Sequence, residues 1–88
     1  MNMFTVSYDL MKPGQDYTAL LNRIRAFGGV RQLESYWSFR YQATAAQVRD
    51  DLRRYIDTND RLLVVDVTNQ QFAWHNLRAD IKASLSIV

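Results

Sequence analysis

The sequence predicts an α+β fold, because two strand–helix units follow one another and each returns to a strand. Apolar residues alternate with a period of two in the predicted strands and recur at helical spacing in the two predicted helices. A β-rich stretch lies between the helices. The 88 residues, 48% of them hydrophobic, suffice for one domain, 1–88, with a modest core.

The first predicted strand covers residues 3–10 and ends before a Pro-Gly corner. Its core-forming apolar residues are even-numbered, whereas Asp9 is odd-numbered, so Asp9 is predicted on the opposite sheet face, near the end of the strand. A carboxylate in that position can bind a metal ion or take part in catalysis without disturbing the core. Capping of the following turn explains Asp9 equally well.

Two helices are predicted before residue 57. Asp16 can cap the first, which ends at Gly28-Gly29, and the second begins at Thr44 with a capping box that includes Gln47. The polar residues 57–60 fit the turn that follows it. The apolar stripes of the two helices consist of Tyr17, Leu20, Leu21, Ile24 and Phe27, and of Val48, Leu52, Tyr55 and Ile56.

The remaining elements complete the predicted fold. Residues 30–41 are β-rich and form either one long strand or two short ones around Ser35-Tyr36. Residues 61–68 form the clearest strand, and a short strand at 71–74 follows. The tail is predicted as a helix capped by Asn76, with Leu77, Ile81 and Leu85 as its apolar face. These elements predict a ferredoxin-like βαββαβ sandwich with a C-terminal short strand and helix. In that arrangement the first strand is central and antiparallel to both neighbours.

The apolar pattern of the strand at 61–68 also predicts that the protein binds a partner chain. Leu62 and Val64 have the opposite parity to Leu63, Val65 and Val67, so both faces of the strand carry apolar side chains. If the odd-numbered set faces the helices, Leu62 and Val64 lie on the second sheet face. An exposed apolar face usually marks an interface. We therefore predict a homodimer that forms through the face of Leu62 and Val64.

Composition narrows the function classes. The chain has no cysteine, which excludes disulfides and thiolate zinc sites and suits a reducing cytoplasm. Its apolar runs are too short to span a membrane, and its start lacks the pattern of a secretory signal. No phosphate-binding glycine motif or dinucleotide fingerprint occurs. We expect a cytoplasmic protein that does not associate with membranes.

Basic residues are concentrated in the middle of the chain. Net charge is only +2, yet seven of the eleven Lys and Arg residues are arginines between residues 23 and 54. Arg49 and Arg53 stand one helical turn apart, so they could follow a phosphate backbone. The same pattern fits a solvated helix face, because Asp50 and Asp51 stand at ion-pair spacing from Arg53 and Arg54. The predicted nucleic-acid contacts are Arg23, Arg31, Arg49 and Arg53.

Aromatic residues allow a second kind of contact. Tyr36 has the opposite parity to Trp37 and lies between Arg31 and Arg40, so it could stack a nucleic-acid base. Trp37 itself is expected in the core. The single histidine, His75, has no second imidazole or nucleophile pattern nearby, so a structural or surface role is expected for it.

Three segments resemble, in order and spacing, the small ferredoxin-like proteins related to the second CRISPR-associated protein and to the virulence-associated protein D toxins. They are VSYDL at 6–10, GVRQLESYW at 29–37 and YIDTNDRLLVV at 55–65, within a resemblance that covers roughly residues 3–68. The KPGQ segment at 12–15 and residues 34–37 look more like a sister group of uncharacterised bacterial proteins. The tail from Trp74 onward also differs. It is predicted to form a helix, whereas the CRISPR proteins tend to have strands there that exchange between the two protomers of the dimer.

The resemblance implies a homodimer with sheets packed face to face. It further implies that Asp9 approaches its twofold mate and holds a divalent metal, Mg²⁺, for cleavage of RNA or DNA. Some members use the same dimer only as a scaffold. The two hypotheses are therefore a metal-dependent endonuclease, with Asp9 as catalytic and metal-binding residue, and a non-catalytic adaptor or regulatory dimer in which Asp9 is structural.

Other polar residues could contribute to the site. Asp66 is a poor partner for Asp9 within one chain, because acids near the ends of two antiparallel strands lie more than about 10 Å apart. A paired-acid site must then be intermolecular. Ser7 and Gln32 could line the same sheet face, and Glu34 could supply a second acid.

Overall fold

Four strands and two helices alternate in the order that the sequence predicts. The computed structural model describes residues 1–11 and 16–77. Its elements are β1 (Asn2–Asp9), α1 (Thr18–Ala26), β2 (Val30–Leu33), β3 (Tyr36–Tyr41), α2 (Ala45–Arg53) and β4 (Arg61–Asp66). The sheet order is β2-β3-β1-β4, and every neighbouring pair is antiparallel. The ferredoxin-like fold and the central position of β1 are confirmed.

The β-rich middle consists of two short strands. Glu34 and Ser35 form the turn between β2 and β3, and Leu33 pairs with Tyr36 directly across it. The register shifts between Arg31 and Leu33, so β2 is irregular at its end. The sequence left open whether residues 30–41 form one long strand or two short ones, and this turn shows that there are two.

The helix ends follow from specific residues. The Thr44 hydroxyl accepts from the Gln47 N–H at 3.1 Å and the Gln47 side chain accepts from the Thr44 N–H at 2.9 Å, which confirms the capping box. The N-cap of α1 is Tyr17, without a side-chain cap bond, so Asp16 does not cap the helix as predicted. Asp16 lies one residue earlier and accepts from the Thr18 N–H at 2.9 Å. Gly28 ends α1 with a φ of +85°, and the Gly29 N–H donates to the Ile24 carbonyl at 3.1 Å.

The core lies between the helices and one face of the sheet. Trp37 is 2% exposed, as predicted for a core residue, and its Nε1–H donates to the Tyr8 hydroxyl at 3.1 Å. This bond satisfies the indole N–H in an otherwise apolar setting. The buried apolar residues of this core are Phe4, Val6, Tyr8, Leu20, Ile24, Phe27, Trp37, Phe39, Val48 and Leu52.

The prediction assigned the two sets of apolar residues in β4 to the wrong sheet faces. Val64 pairs with Val6 and Leu62 pairs with Tyr8, and both pack against the core. Residues directly opposite each other in an antiparallel ladder share a face, so Leu62 and Val64 lie on the helix side. Leu63, 60% exposed, and Val65, 39% exposed, lie on the second face instead. An exposed apolar surface remains there, formed by the other two residues.

The segment after β4 has little regular structure within the described residues. Residues 70–77 contain neither helix nor strand, so the short strand predicted at 71–74 is not formed. Asn76 has a left-handed φ of 60° and does not start a helix at that position. Ile81 and Leu85 of the predicted C-terminal helix lie outside the described residues. Neither α1 nor α2 is long and apolar enough to cross a membrane, and these are the helices of the described part of the chain.

Candidate functional site

Asp9 ends the central strand, on the second sheet face as predicted. It pairs in register with Arg61 of β4, and its side chain is exposed. Among residues 1–11 and 16–77 the Asp9 carboxylate has no hydrogen-bond or ion-pair partner. Because the Asp9 carboxylate makes no contact that stabilises the fold in these residues, it is available to bind a ligand.

Two cavities meet at Asp9. One of about 330 Å³ includes Ser7, Ser35, Arg61 and Leu63 in its lining. The other, of about 460 Å³, has Arg31 and Glu34 in its lining. An arginine therefore lines each cavity, Arg61 the first and Arg31 the second. Arginine is well suited to bind phosphate, because its planar group can donate two parallel hydrogen bonds.

One chain offers few ligands for a metal ion at this site. Asp9 and Glu34 line the same cavity, so the structure brings together the two acids that the sequence proposed. No group of three or more His, Cys, Asp or Glu side chains placed to bind a metal occurs in the described part of the chain. A magnesium ion keeps several waters and needs only one or two protein carboxylates. Asp9 fits that requirement only if water, substrate or a second protomer completes the coordination.

Asp66 is distant from Asp9, as the antiparallel arrangement predicts. Asp66 pairs with Phe4, whereas Asp9 pairs with Arg61, so five residue steps of about 3.4 Å separate the two acids along the ladder. Hydrogen bonds from the side chain and the backbone N–H of Thr68 lower the pKa of Asp66. Asp66 serves the turn after β4 and cannot join Asp9 within one chain.

Ser7 and Gln32 have different surroundings. Ser7 is half-buried and lines the first cavity beside Asp9, where its hydroxyl can contact a ligand. Gln32 is buried, and its side-chain amide donates to the Ser38 hydroxyl on the second face. Gln32 therefore holds β2 to β3.

Three of the four arginines predicted to bind nucleic acid are paired with carboxylates. Arg23 of α1 makes a bidentate pair with Asp51 of α2, at 2.8 and 2.7 Å. This contact lowers the pKa of Asp51 and raises that of Arg23. Arg49 and Arg53 both contact Asp50, at 2.9 and 3.7 Å. The solvated-face alternative describes this surface of α2 better than a continuous phosphate track does.

Arg31 is different, because it has no carboxylate partner among the described residues and its guanidinium lies over an aromatic ring. Its guanidinium carbon lies 5.2 Å from the centroid of the Trp37 ring, and that of Arg25 lies 5.4 Å from it. Sequence reasoning did not identify Arg25 as a site residue. Arg25 in α1 and Trp37 in β3 are far apart in the sequence, and only the tertiary fold brings them together. Tyr36 shares the second face with Ser7 and is half-buried, and His75 is exposed.

Asp60 has a larger role than the turn that the sequence suggested. One carboxylate oxygen accepts from the Met11 N–H at 2.8 Å and from the Tyr17 hydroxyl at 2.9 Å. The other accepts from the Asp57 N–H at 2.8 Å. Asp60 thus joins the end of β1, the start of α1 and the loop before β4. These contacts stabilise the end of the sheet where Asp9 lies.

Comparison with known proteins identifies the fold. The sequence matches no protein-family model. The structure is similar to the crystal structure of the hypothetical protein TT1823 from Thermus thermophilus, with a TM-score of 0.66 and 20% sequence identity. The similarity covers 88% of this chain and 94% of that chain. At this level of identity the likeness shows a shared fold and no shared activity.

Proposed function

We propose that the protein is a cytoplasmic homodimer that binds nucleic acid and cleaves its phosphodiester bonds with Mg²⁺ held between Asp9 and the partner's Asp9. The observation that carries this proposal is the position of the Asp9 carboxylate. It is exposed, has no partner within the described residues and lies where two cavities meet. The resemblance of residues 3–68 to ferredoxin-like nucleases also supports it.

The residues around Asp9 suit this chemistry. Carboxylate oxygens are the ligands that Mg²⁺ prefers, and a bound ion would neutralise phosphate charge and activate water. Asp9 would hold the ion, while Arg31 and Arg61 would contact the phosphate oxygens from the two cavities. Two Asp9 carboxylates repel each other unless a cation lies between them, so dimer formation and metal binding are coupled in this proposal.

The exposed residues of β4 support the proposed dimer. Leu63 lines the cavity that contains Asp9, so a partner packed on this face would approach the carboxylate. Burial of Leu63 and Val65 would supply apolar area to the interface. A non-catalytic adaptor dimer is the second candidate, and it would use the same exposed residues of β4, Leu63 and Val65, without a metal ion.

Replacement of Asp9 by Asn tests the proposal, and Asp66→Asn is the matched control. Both variants lose one negative charge from a strand, but only Asp9 lies at the two cavities. We expect the wild type and Asp66→Asn to cleave labelled RNA or DNA with Mg²⁺ or Mn²⁺, and chelator to stop the reaction. Asp9→Asn should lose the activity and keep its thermal stability.

Two results would decide against cleavage by this site. Equal activity in Asp9→Asn and the wild type would show a contaminating nuclease. A dimeric wild type that cleaves neither RNA nor DNA with either metal would favour the adaptor.

A further inference from the structure

Two arginines from different elements converge on one tryptophan. Arg25 lies in the last turn of α1, Arg31 in β2 and Trp37 in β3. Both guanidinium groups lie over the Trp37 ring, at 5.4 and 5.2 Å, so they are within roughly 1 nm of each other. The Trp37 side chain is buried, whereas both arginines are exposed. We call these three residues the arginine–tryptophan cluster.

The two positive charges of the cluster have no carboxylate partner in the part of the chain that the structure describes. Arg25 donates to the side-chain oxygen of Asn22 at 3.3 Å, and Arg31 donates to the backbone carbonyl of Glu34 at 3.1 Å. Both acceptors are neutral. The partial negative charge at the end of α1 favours Arg25 but leaves most of its charge uncompensated. The cluster can therefore attract an anion.

Arg23, Arg49 and Arg53 lack this property. Each is paired with Asp50 or Asp51, so an incoming phosphate would have to compete with a carboxylate that is already in place. Among the arginines predicted to bind nucleic acid, Arg31 alone has no such pair in the described structure. Arg25 joins it through the shared ring.

The tryptophan also restricts the positions of the two groups. A guanidinium stacked on an aromatic face keeps its N–H groups at the edge of the plane, where they can donate to phosphate oxygens. The Trp37 ring is itself held by the core and by its hydrogen bond to Tyr8. Less side-chain freedom is then lost when an anion binds.

We infer that the arginine–tryptophan cluster binds the phosphate backbone of a nucleic acid, and this inference rests on the proposed function. Arg31 lines the cavity that also contains Asp9. A strand held by the cluster would therefore reach the end of the sheet where Asp9 lies. The cluster supplies the binding contacts that the ion-paired arginines of α2 cannot supply.

Binding measured without cleavage tests this inference. The probes are labelled single-stranded RNA and DNA of about 20 nucleotides and one sequence, titrated in chelator at several salt concentrations. Each phosphate contact contributes about 0.7 to the slope of log affinity against log salt concentration, so Arg25→Gln combined with Arg31→Gln should lower the slope by about 1.4. Affinity near 0.1 M salt should fall at least about tenfold. Arg49→Gln combined with Arg53→Gln should leave the slope unchanged.

A charge-conserving variant controls for folding. Arg25→Lys combined with Arg31→Lys keeps both positive charges, so it should retain the wild-type slope even if its thermal stability falls. A wild type that binds in chelator but cleaves neither RNA nor DNA with Mg²⁺ or Mn²⁺ would refute the proposed hydrolysis and leave the binding role of the cluster intact. Equal losses in the Gln variants of the cluster and of α2, or no binding by the wild type, would overturn the inference. Equal binding of a poly-glutamate peptide would assign the cluster to an acidic protein instead.

Discussion

Leu63 provides a direct test of the proposed dimer, because it is the most exposed apolar residue of β4. Full burial of a leucine side chain stabilises by about 1.5–3 kcal/mol. Leu63 is 60% exposed, so covering it gains about 1–2 kcal/mol per protomer, or about 2–4 kcal/mol for two. In Leu63→Glu this gain is lost and two charges enter the interface. The dissociation constant should then rise at least about 30- to 1,000-fold.

Light scattering and sedimentation at tens of micromolar measure this change. Leu63→Glu should be a folded monomer, because the side chain contributes little to the core of its own protomer. The adjacent change Val64→Glu should behave differently, since Val64 packs against the core and a charge there should unfold the protein. A monomeric wild type would refute both the dimer and the metal site shared by two protomers. Dimerisation of Leu63→Glu with wild-type affinity would place any interface elsewhere.

Two further predictions concern stability. Asp60→Ala removes the carboxylate that accepts hydrogen bonds from Met11, Tyr17 and Asp57 and should lower the free energy of unfolding by about 2–4 kcal/mol, measured in urea. Asn59→Ala in the same turn should change it far less. Because Arg23 lowers the pKa of Asp51 in the folded state, the stability that this pair contributes is full above the unfolded pKa of about 4 and is lost as pH falls through the lower folded value. Asp51→Asn should remove that pH dependence, and an unchanged profile would show that other acids cause it. The partly exposed pair should contribute about 1 kcal/mol or less near neutral pH.

Local signals in the sequence were sufficient to predict most of the fold. The capping box of Thr44 and Gln47 fixed the start of α2, and Gly28 ended α1 at a left-handed φ that other residues disfavour. Alternation in β1 placed Asp9 on the face opposite the core. These predictions succeeded because each depends on residues a few positions apart, whose interactions are set by the geometry of one helix, turn or strand.

The candidate site could be predicted only in part. Asp9 could be found because its parity and its place before a turn are properties of one strand. Arg25 could not, because its contact with Trp37 depends on where the end of α1 lies relative to β3. The pairing of Arg23 with Asp51 likewise joins two helices whose separation the sequence does not encode locally.

The sequence by itself determined the order of the elements, the central position of β1 and the presence of apolar residues on both faces of β4. The tertiary structure decided that Leu63 and Val65, rather than Leu62 and Val64, lie on the second face. A period of two defines two sets of residues in a strand but does not say which set faces the helices. That choice depends on the register between β4 and β1, where a shift of one residue exchanges the two faces completely.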